Sequence, residues 1–188
     1  EAEISPQVAP PPPAMRLLLT NDDGINAPGL AALYEGVKDL GEVTVVAPVV
    51  ERSAVGHAIT LSDPLRVSEH RGPEGERWFA VTGTPADCVK IAVASILESP
   101  PDVVLSGINQ GANVGTNVLY SGTVSAATEA AMLGIPAAAL SLADRHSADF
   151  RAAATVARAT AVKIGERGLP PGTSLNVNVP PLAPGDIR

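Results

Sequence analysis

The residues best placed to do chemistry are two adjacent carboxylates, Asp22 and Asp23. They follow the run Arg16-Leu17-Leu18-Leu19-Thr20 and Asn21, and Gly24 comes directly after them. A short, nearly continuous apolar run of this kind reads as a strand buried on both faces. A helical pattern opens near Pro28, so the pair belongs at the carboxyl end of a strand, where open α/β sheets put their ligands. Two like charges about 4 Å apart repel by roughly 4 kcal/mol at an effective dielectric of about 20. A shared proton or a bound cation would offset that repulsion. The plainer alternative is one carboxylate capping the helix and the other facing water.

Further polar groups recur at the ends of later strands. The stretch 48–57 carries Ser53, Gly56 and His57 without helical periodicity. Gly107-Ile108-Asn109-Gln110-Gly111-Ala112-Asn113 is rich in Gly and Asn, the composition of a loop that lets backbone approach a ligand. Ser121-Gly122-Thr123 opens a helix, whose free N–H groups and hydroxyls suit an anion. Asp22, Asp23, Ser53 and Asn109 form an all-oxygen set, which fits Mg²⁺, Mn²⁺ or Ca²⁺ and not Zn²⁺ with its His and Cys ligands. A cation beside an anion site points to a phosphate ester. Asn21 is counted with the substrate side of this site. His57 reads either as a proton donor to a leaving alkoxide or as a structural loop histidine. Ser53, Asn109, Asn113, Ser121 and Thr123 each have an ordinary turn or capping role as the alternative. No Gly-Lys-Ser/Thr occurs, Gly107, Gly111 and Gly115 are spaced by four, and Gly-x-Ser-x-Gly is absent.

The elements that must position these groups alternate. Strands are expected at 16–20, 42–47, 102–106, 136–142 and 174–179, and helices at 28–40, 85–97, from about 122 to 134, and 148–167. Residues 107–117 read as loop. Thr84-Pro85-Ala86-Asp87 has the residues of a capping box with proline at the first helical position. Residues 58–82 hold the short β-like runs 59–61, 65–67 and 78–81, read as a small antiparallel excursion. The expected fold is an α/β, Rossmann-like, doubly wound and mostly parallel sheet with that insertion. Strand 16–20 should be central, with 42–47 and 102–106 on either side of it.

Composition narrows the function. The 188 residues are 45% hydrophobic but only 3% aromatic, so the core must be built from Ala, Val, Leu and Ile. A net charge of −7 without a basic run argues against a nucleic-acid duplex or a membrane surface as partner. The single Cys88 and the lack of a charged-then-apolar leader give the expectation of a cytoplasmic protein. Residues 1–14, with the run Pro10-Pro11-Pro12-Pro13, read as an extended leader outside a domain of 15–188.

Five motifs in order, Thr20-Asn21-Asp22-Asp23-Gly24, Ser53 with Gly56-His57-Ala58-Ile59-Thr60, Gly83-Thr84-Pro85-Ala86-Asp87-Cys88-Val89, Ser106-Gly107-Ile108-Asn109-Gln110-Gly111-Ala112-Asn113 and Tyr120-Ser121-Gly122-Thr123-Val124, resemble the survival protein E (SurE) family. The resemblance runs from residue 15 to about 180. It implies a divalent-metal-dependent phosphatase of nucleoside monophosphates, at the 5′ or 3′ position, with one Mg²⁺ or Mn²⁺ per subunit. Asp22, Asp23, Ser53 and Asn109 would then be metal ligands. Asn113, Ser121, Gly122 and Thr123 fall where the family lines its phosphate pocket. It also implies a homodimer, expected to be weaker here because the chain stops at Arg188, before a C-terminal segment that helps the family dimerise.

Two other classes compete with that reading. A nucleotide-binding regulator would keep the anion pocket but needs no paired carboxylates. A haloacid-dehalogenase type of phosphoryl transfer would want Asp-x-Asp after the first strand, and the adjacent aspartates argue against it. Attack by a metal-activated water or directly by Asp22 or Asp23 are the two chemical routes.

Overall fold

The computed structural model describes residues 15–52, 54–182 and 184–186. The leader 1–14 and Ser53 lie outside the described residues. Seven strands form one sheet in the order β3-β4-β2-β1-β5-β6-β7: β1 (Met15–Thr20), β2 (Gly41–Pro48), β3 (Val67–Arg71), β4 (Arg77–Val81), β5 (Val103–Gln110), β6 (Ala137–Leu142) and β7 (Ser174–Val179). All neighbours pair in parallel except β3 with β4.

Alternation along each strand feeds both faces of this sheet. Leu17 and Leu19 of β1 enter one core with Val45, Leu105 and Leu140, while Leu18 enters the other with Val46, Val104 and Ala139. This is why the first strand reads as an unbroken apolar run. The first core is covered by α1 (Pro28–Val37) and α4 (Arg151–Arg167), the second by α2 (Pro85–Ile91) and α3 (Gly122–Met132). The buried stripes of α3 and α4 are built largely of alanine, among them Ala126, Ala127 and Ala130, and Ala153, Ala157 and Ala161. Small side chains let these helices sit close to the sheet, as the aromatic-poor composition requires.

The chain leaves β1 toward β2 on one side and later returns to β5 on the other. The reversal of direction lies between β1 and β5, the position at which such sheets form a crevice outside their carboxyl ends.

The small antiparallel excursion expected within 58–82 is present as the pair of β3 and β4, and β4 also joins the main sheet parallel to β2, with Val46 opposite Phe79. Two finer expectations, on 59–61 and on the loop from Gly107, need correction. Only β3 runs antiparallel, on the outer side of β4. Trp78 is buried in the first core, edge-to-face with Tyr34 at 5.5 Å between ring centroids. Ile59-Thr60-Leu61 forms no strand; Thr60 is held by the Asp87 carboxylate instead, through its N–H at 3.1 Å and its hydroxyl at 2.6 Å. The segment expected as loop from Gly107 is still strand to Gln110. A register shift against β6 between Ser106 and Asn109 absorbs the irregularity, with a cis bond at Gly107–Ile108 and Ile108 in the core.

Helix ends differ more modestly. α1 stops at Val37, because β2 begins already at Gly41. The Thr84–Asp87 capping box forms as expected, but α2 gives way to a single π-helical turn at Ala92–Ile96. No described helix is long and apolar enough to cross a membrane.

Candidate active site

At the carboxyl ends of β1 and β5 lies a cleft of about 630 Å³, lined by Asp22, Asp23, Glu51, Asn109, Gln110, Asn113, Tyr120, Ser121 and Arg145 among others. The acidic turn is shaped from inside. Asn21 is buried, its Nδ2 donates to the Gly24 carbonyl at 2.9 Å, and its Oδ1 accepts from the Gly24 N–H at 3.2 Å. Both ends of its amide are thus engaged in closing the turn. Asn21 positions the aspartates and does not line the cleft.

Asp22 rests against the first turn of α3. Its Oδ1 accepts from the Thr123 hydroxyl at 2.5 Å, and the backbone N–H groups of Asp22 and Thr123 also bond the carboxylate. A Cβ on Gly122 would stand 2.7 Å from the Cβ of Asp22, so glycine is what allows this approach. Ser121 caps α3 by accepting the Val124 N–H at 3.1 Å. The partial positive charge of the helix start therefore faces the carboxylate. Gly122 and Thr123 support Asp22 from behind, and Ser121 is the member of this trio that reaches the cleft.

Burial raises the pKa of Asp22, and the Thr123 hydroxyl works against the rise. Asp23 is pushed up to about 6, first by burial, then by Asp22 and Glu51, with the Gln110 N–H opposing. The repulsion anticipated from two adjacent carboxylates is therefore present at Asp23, and among the described residues no cationic side chain is paired with either carboxylate.

From the β5 side, Asn109 donates through Nδ2 to the Gly111 carbonyl at 2.7 Å, which leaves its side-chain oxygen available to a ligand. Asn113 is nearly buried, with Nδ2 on the Ser141 hydroxyl at 2.9 Å. Its backbone is pinned by β7: its N–H donates to Asn178 Oδ1 at 2.8 Å, and its carbonyl accepts from Asn176 Nδ2 at 2.8 Å. Sequence reasoning missed Asn176 and Asn178. The signal was two asparagines at alternate positions of a strand, hence on one face.

The loop after β2 reaches the same cleft. The Arg52 N–H donates to the Asp22 carbonyl at 2.7 Å, and the Gly56 N–H to the Tyr120 carbonyl at 3.1 Å. Ser53 is outside the described residues, but Glu51 and Ala54 on either side of it line the cleft. Glu51, Tyr120 and Arg145 were not anticipated as site residues; each follows a strand end or precedes the capped helix, and only the assembled sheet brings them together.

His57 is not brought to the cleft. Its Nε2 lies 2.8 Å from Oε2 of Glu129, whose Oε1 meets Lys90 Nζ at 3.1 Å. Glu129 is seven residues along α3 from Gly122, about 10 Å at the helical rise, which separates His57 from the aspartates.

Among the described residues no group of three or more His, Cys, Asp or Glu side chains is arranged to hold a metal. A cation here would rely on two carboxylates and neutral oxygens. Asp22, Asp23 and Asn109, which line the cleft together, have the oxygen chemistry that requirement asks of ligands to a hard divalent ion.

A family model described as survival protein SurE matches residues 17–188. Similar proteins, each named 5′-nucleotidase SurE, come from Syntrophobacter fumaroxidans, 55% identical over 93% of this chain and 70% of that protein, and Heliobacterium modesticaldum, 54% identical over 89% of this chain and 62% of that protein. One from Moorella thermoacetica is 53% identical over 93% of this chain and 67% of that protein. The crystal structure of a SurE protein from Aquifex aeolicus superposes with a TM-score of 0.82 at 44% identity, covering 92% of this chain and 68% of that one. The chain spans about two thirds of the length of the relatives it matches. On a family match over nearly all described residues and a shared fold, the chain belongs to the survival protein SurE family.

Proposed function

We propose that this protein is a divalent-cation-dependent phosphomonoesterase that hydrolyses nucleoside 5′-monophosphates, with 3′-monophosphates as a second substrate. The observation that carries the reading is the convergence of Asp22, Asp23 and Asn109, without a neutralising cation, beside the capped start of α3. The relatives' shared name, 5′-nucleotidase, supports the same reaction.

One Mg²⁺ or Mn²⁺ per subunit would be held by Asp22, Asp23, Asn109 and Ser53, and when bound it supplies charge neutralisation, polarisation of the phosphoryl oxygens and a more acidic water. The chain's own residues do the rest. Thr123 fixes the rotamer of Asp22, so that one oxygen faces the cleft. Gly111 orients the Asn109 amide through its carbonyl. Ser121, at the start of α3 beside Asp22, and Asn113, on the β5 side, offer donors to phosphoryl oxygens. The 630 Å³ cleft matches the size of pockets that take small ligands. His57, held by Glu129, has no part in this scheme.

A homodimer is proposed as the working unit. β7 is an edge of the sheet with Leu175 exposed, an arrangement open to pairing with a second copy.

The test is phosphate release from AMP and a panel of 5′- and 3′-monophosphates, with Mn²⁺ or Mg²⁺ and with chelator. Cation-dependent release is expected. Nucleotide binding without release would make the protein a binding module and not an enzyme.

A further inference from the structure

Arg145 is a cation in a cleft otherwise lined by Asp22, Asp23, Glu51 and neutral groups. It lies just after β6, and its segment is tied to the end of β5. Gln110 Nε2 donates to the Arg145 carbonyl at 3.2 Å and to the Ser147 carbonyl at 2.8 Å. The side chain runs across Gly111. A Cβ there would come within 2.9 Å of Arg145 Cγ and 3.2 Å of Nε, and Gly111 has φ +119°, a region that suits glycine. Gly111 thus provides the floor on which the arginine stem lies. No ion pair joins the guanidinium to Asp22 or Asp23, although all three share the cleft.

β1 and β6 are two strands apart, with β5 between them, which is about 10 Å at the usual strand spacing. That separation leaves room for a phosphate and its cation between the carboxylates and an arginine on the β6 side. Charge makes the same demand. One divalent cation does no more than balance Asp22 and Asp23, so a phosphate dianion entering the cleft still lacks a counter-charge. A guanidinium is the side chain whose donors match phosphate oxygens in pairs.

We propose that Arg145 binds the phosphoryl oxygens of the substrate, from the side of the cleft opposite Asp22 and Asp23. This rests on the phosphomonoesterase reading for its substrate, but its test does not need turnover. Inorganic phosphate is titrated calorimetrically into the Mg²⁺-loaded full chain as wild type, Arg145→Ala and Arg145→Lys. Mg²⁺ affinity is measured in parallel, and KM is measured for a nucleoside monophosphate. Arg145→Ala should weaken phosphate binding about tenfold, the loss expected for one charged partner at a half-open site. KM should rise with it, and Mg²⁺ affinity should not change. Arg145→Lys should recover part of the loss, since charge is kept and the paired donors are not. Unchanged phosphate affinity in Arg145→Ala would overturn the assignment, even if KM rose, because the arginine would then touch the nucleoside. Absence of phosphate binding to the wild type would overturn it as well. Failure of the wild type to release phosphate from nucleotides, with phosphate binding intact and sensitive to Arg145, would count against the enzyme reading alone.

Discussion

Two sets of acids withdrawn wholly or partly from water have opposite surroundings. Asp87 accepts from the Thr60 N–H and hydroxyl and from the Thr84 N–H, and Glu129 sits between His57 and Lys90. Burial works to raise the pKa of Asp87, yet the bonds from Thr60 and Thr84 prevail and hold it below the usual carboxylate range. Asp22 and Asp23 are also withdrawn from water, but their pKa values are raised: burial outweighs the hydrogen bonds to Asp22, and burial with the neighbouring Asp22 and Glu51 outweighs the Gln110 N–H at Asp23. The first set is finished by the protein. The second is left for something positive to finish, and this difference, not acidity as such, separates structural carboxylates from candidate ligands.

The sharpest way to break the comparison is to neutralise one member of each set. Asp23→Asn should abolish cation-dependent turnover by about a hundredfold or more, since even outer-shell partners of a metal cost 10–100-fold. The cation-free protein should be no less stable, because a repulsion has been removed. Asp87→Ala should do the reverse. It deletes the capping box and strands two N–H groups, at a cost of about 2–4 kcal/mol in stability. Chemical denaturation and steady-state kinetics on both variants decide it. Near-normal turnover in Asp23→Asn at saturating cation would remove Asp23 from the site.

How far this distinction was legible in the sequence depends on range. The Thr84–Asp87 box was legible because cap and carboxylate lie three residues apart on one helix. The position of Asp22 and Asp23 was legible because an apolar run buried on both faces announces a strand and the pair follows it. The order of β2, β1 and β5 followed from the alternation of elements. Long-range fixtures were not legible. Asn178 reaches Asn113 across 65 residues, and His57 reaches Glu129 across 72. His57 looked like site chemistry by its nearness to Ser53 in sequence, but α3 captures it. The end of β5 was misread because its Gly and Asn residues carry loop propensity, while pairing with β6 and the burial of Ile108 override it.

A smaller change probes how closely α3 must approach Asp22. Gly122→Ala places a methyl 2.7 Å from the Asp22 Cβ and 3.1 Å from Pro85 Cγ. Either the helix start or the aspartate must move by some tenths of an ångström. Turnover should fall about tenfold, since a displacement near 1 Å can cost about a hundredfold. Stability should fall less steeply than activity. Equal losses in both would mean that Gly122 serves packing alone.

The pH dependence tests the unfinished pair without a mutation. Asp23 is raised from 3.8 to about 6, so the folded, cation-free protein holds this proton more tightly than the unfolded chain. Its contribution to stability is greatest at low pH and is lost as pH rises through the window from 3.8 to about 6. Asp87, with a lowered pKa, contributes fully above 3.8 and loses its contribution only as pH falls below that. A cation must displace the proton from Asp23. The rise in melting temperature caused by Mn²⁺ should therefore shrink between pH 7 and pH 5, and this trend should be weaker in Asp23→Asn. A constant increment across that range would detach Asp23 from the cation.

The smallest effect is expected at His57. Its Nε2 faces the buried carboxylate of Glu129, and Lys90 holds the other oxygen of the same group. Removing the imidazole in His57→Ala leaves Glu129 with Lys90 as its partner and loosens the segment between β2 and β3, at a cost of about 1 kcal/mol in stability. Because the ring is turned toward α3 and away from the aspartates, kcat should stay within about threefold of wild type, well short of the hundredfold or more that general acid catalysis contributes. Glu129→Gln should cost at least as much stability, since it removes the carboxylate that both His57 and Lys90 face. A hundredfold fall in kcat for His57→Ala, with Glu129→Gln unaffected, would mean that the imidazole leaves Glu129 and reaches the leaving group during turnover.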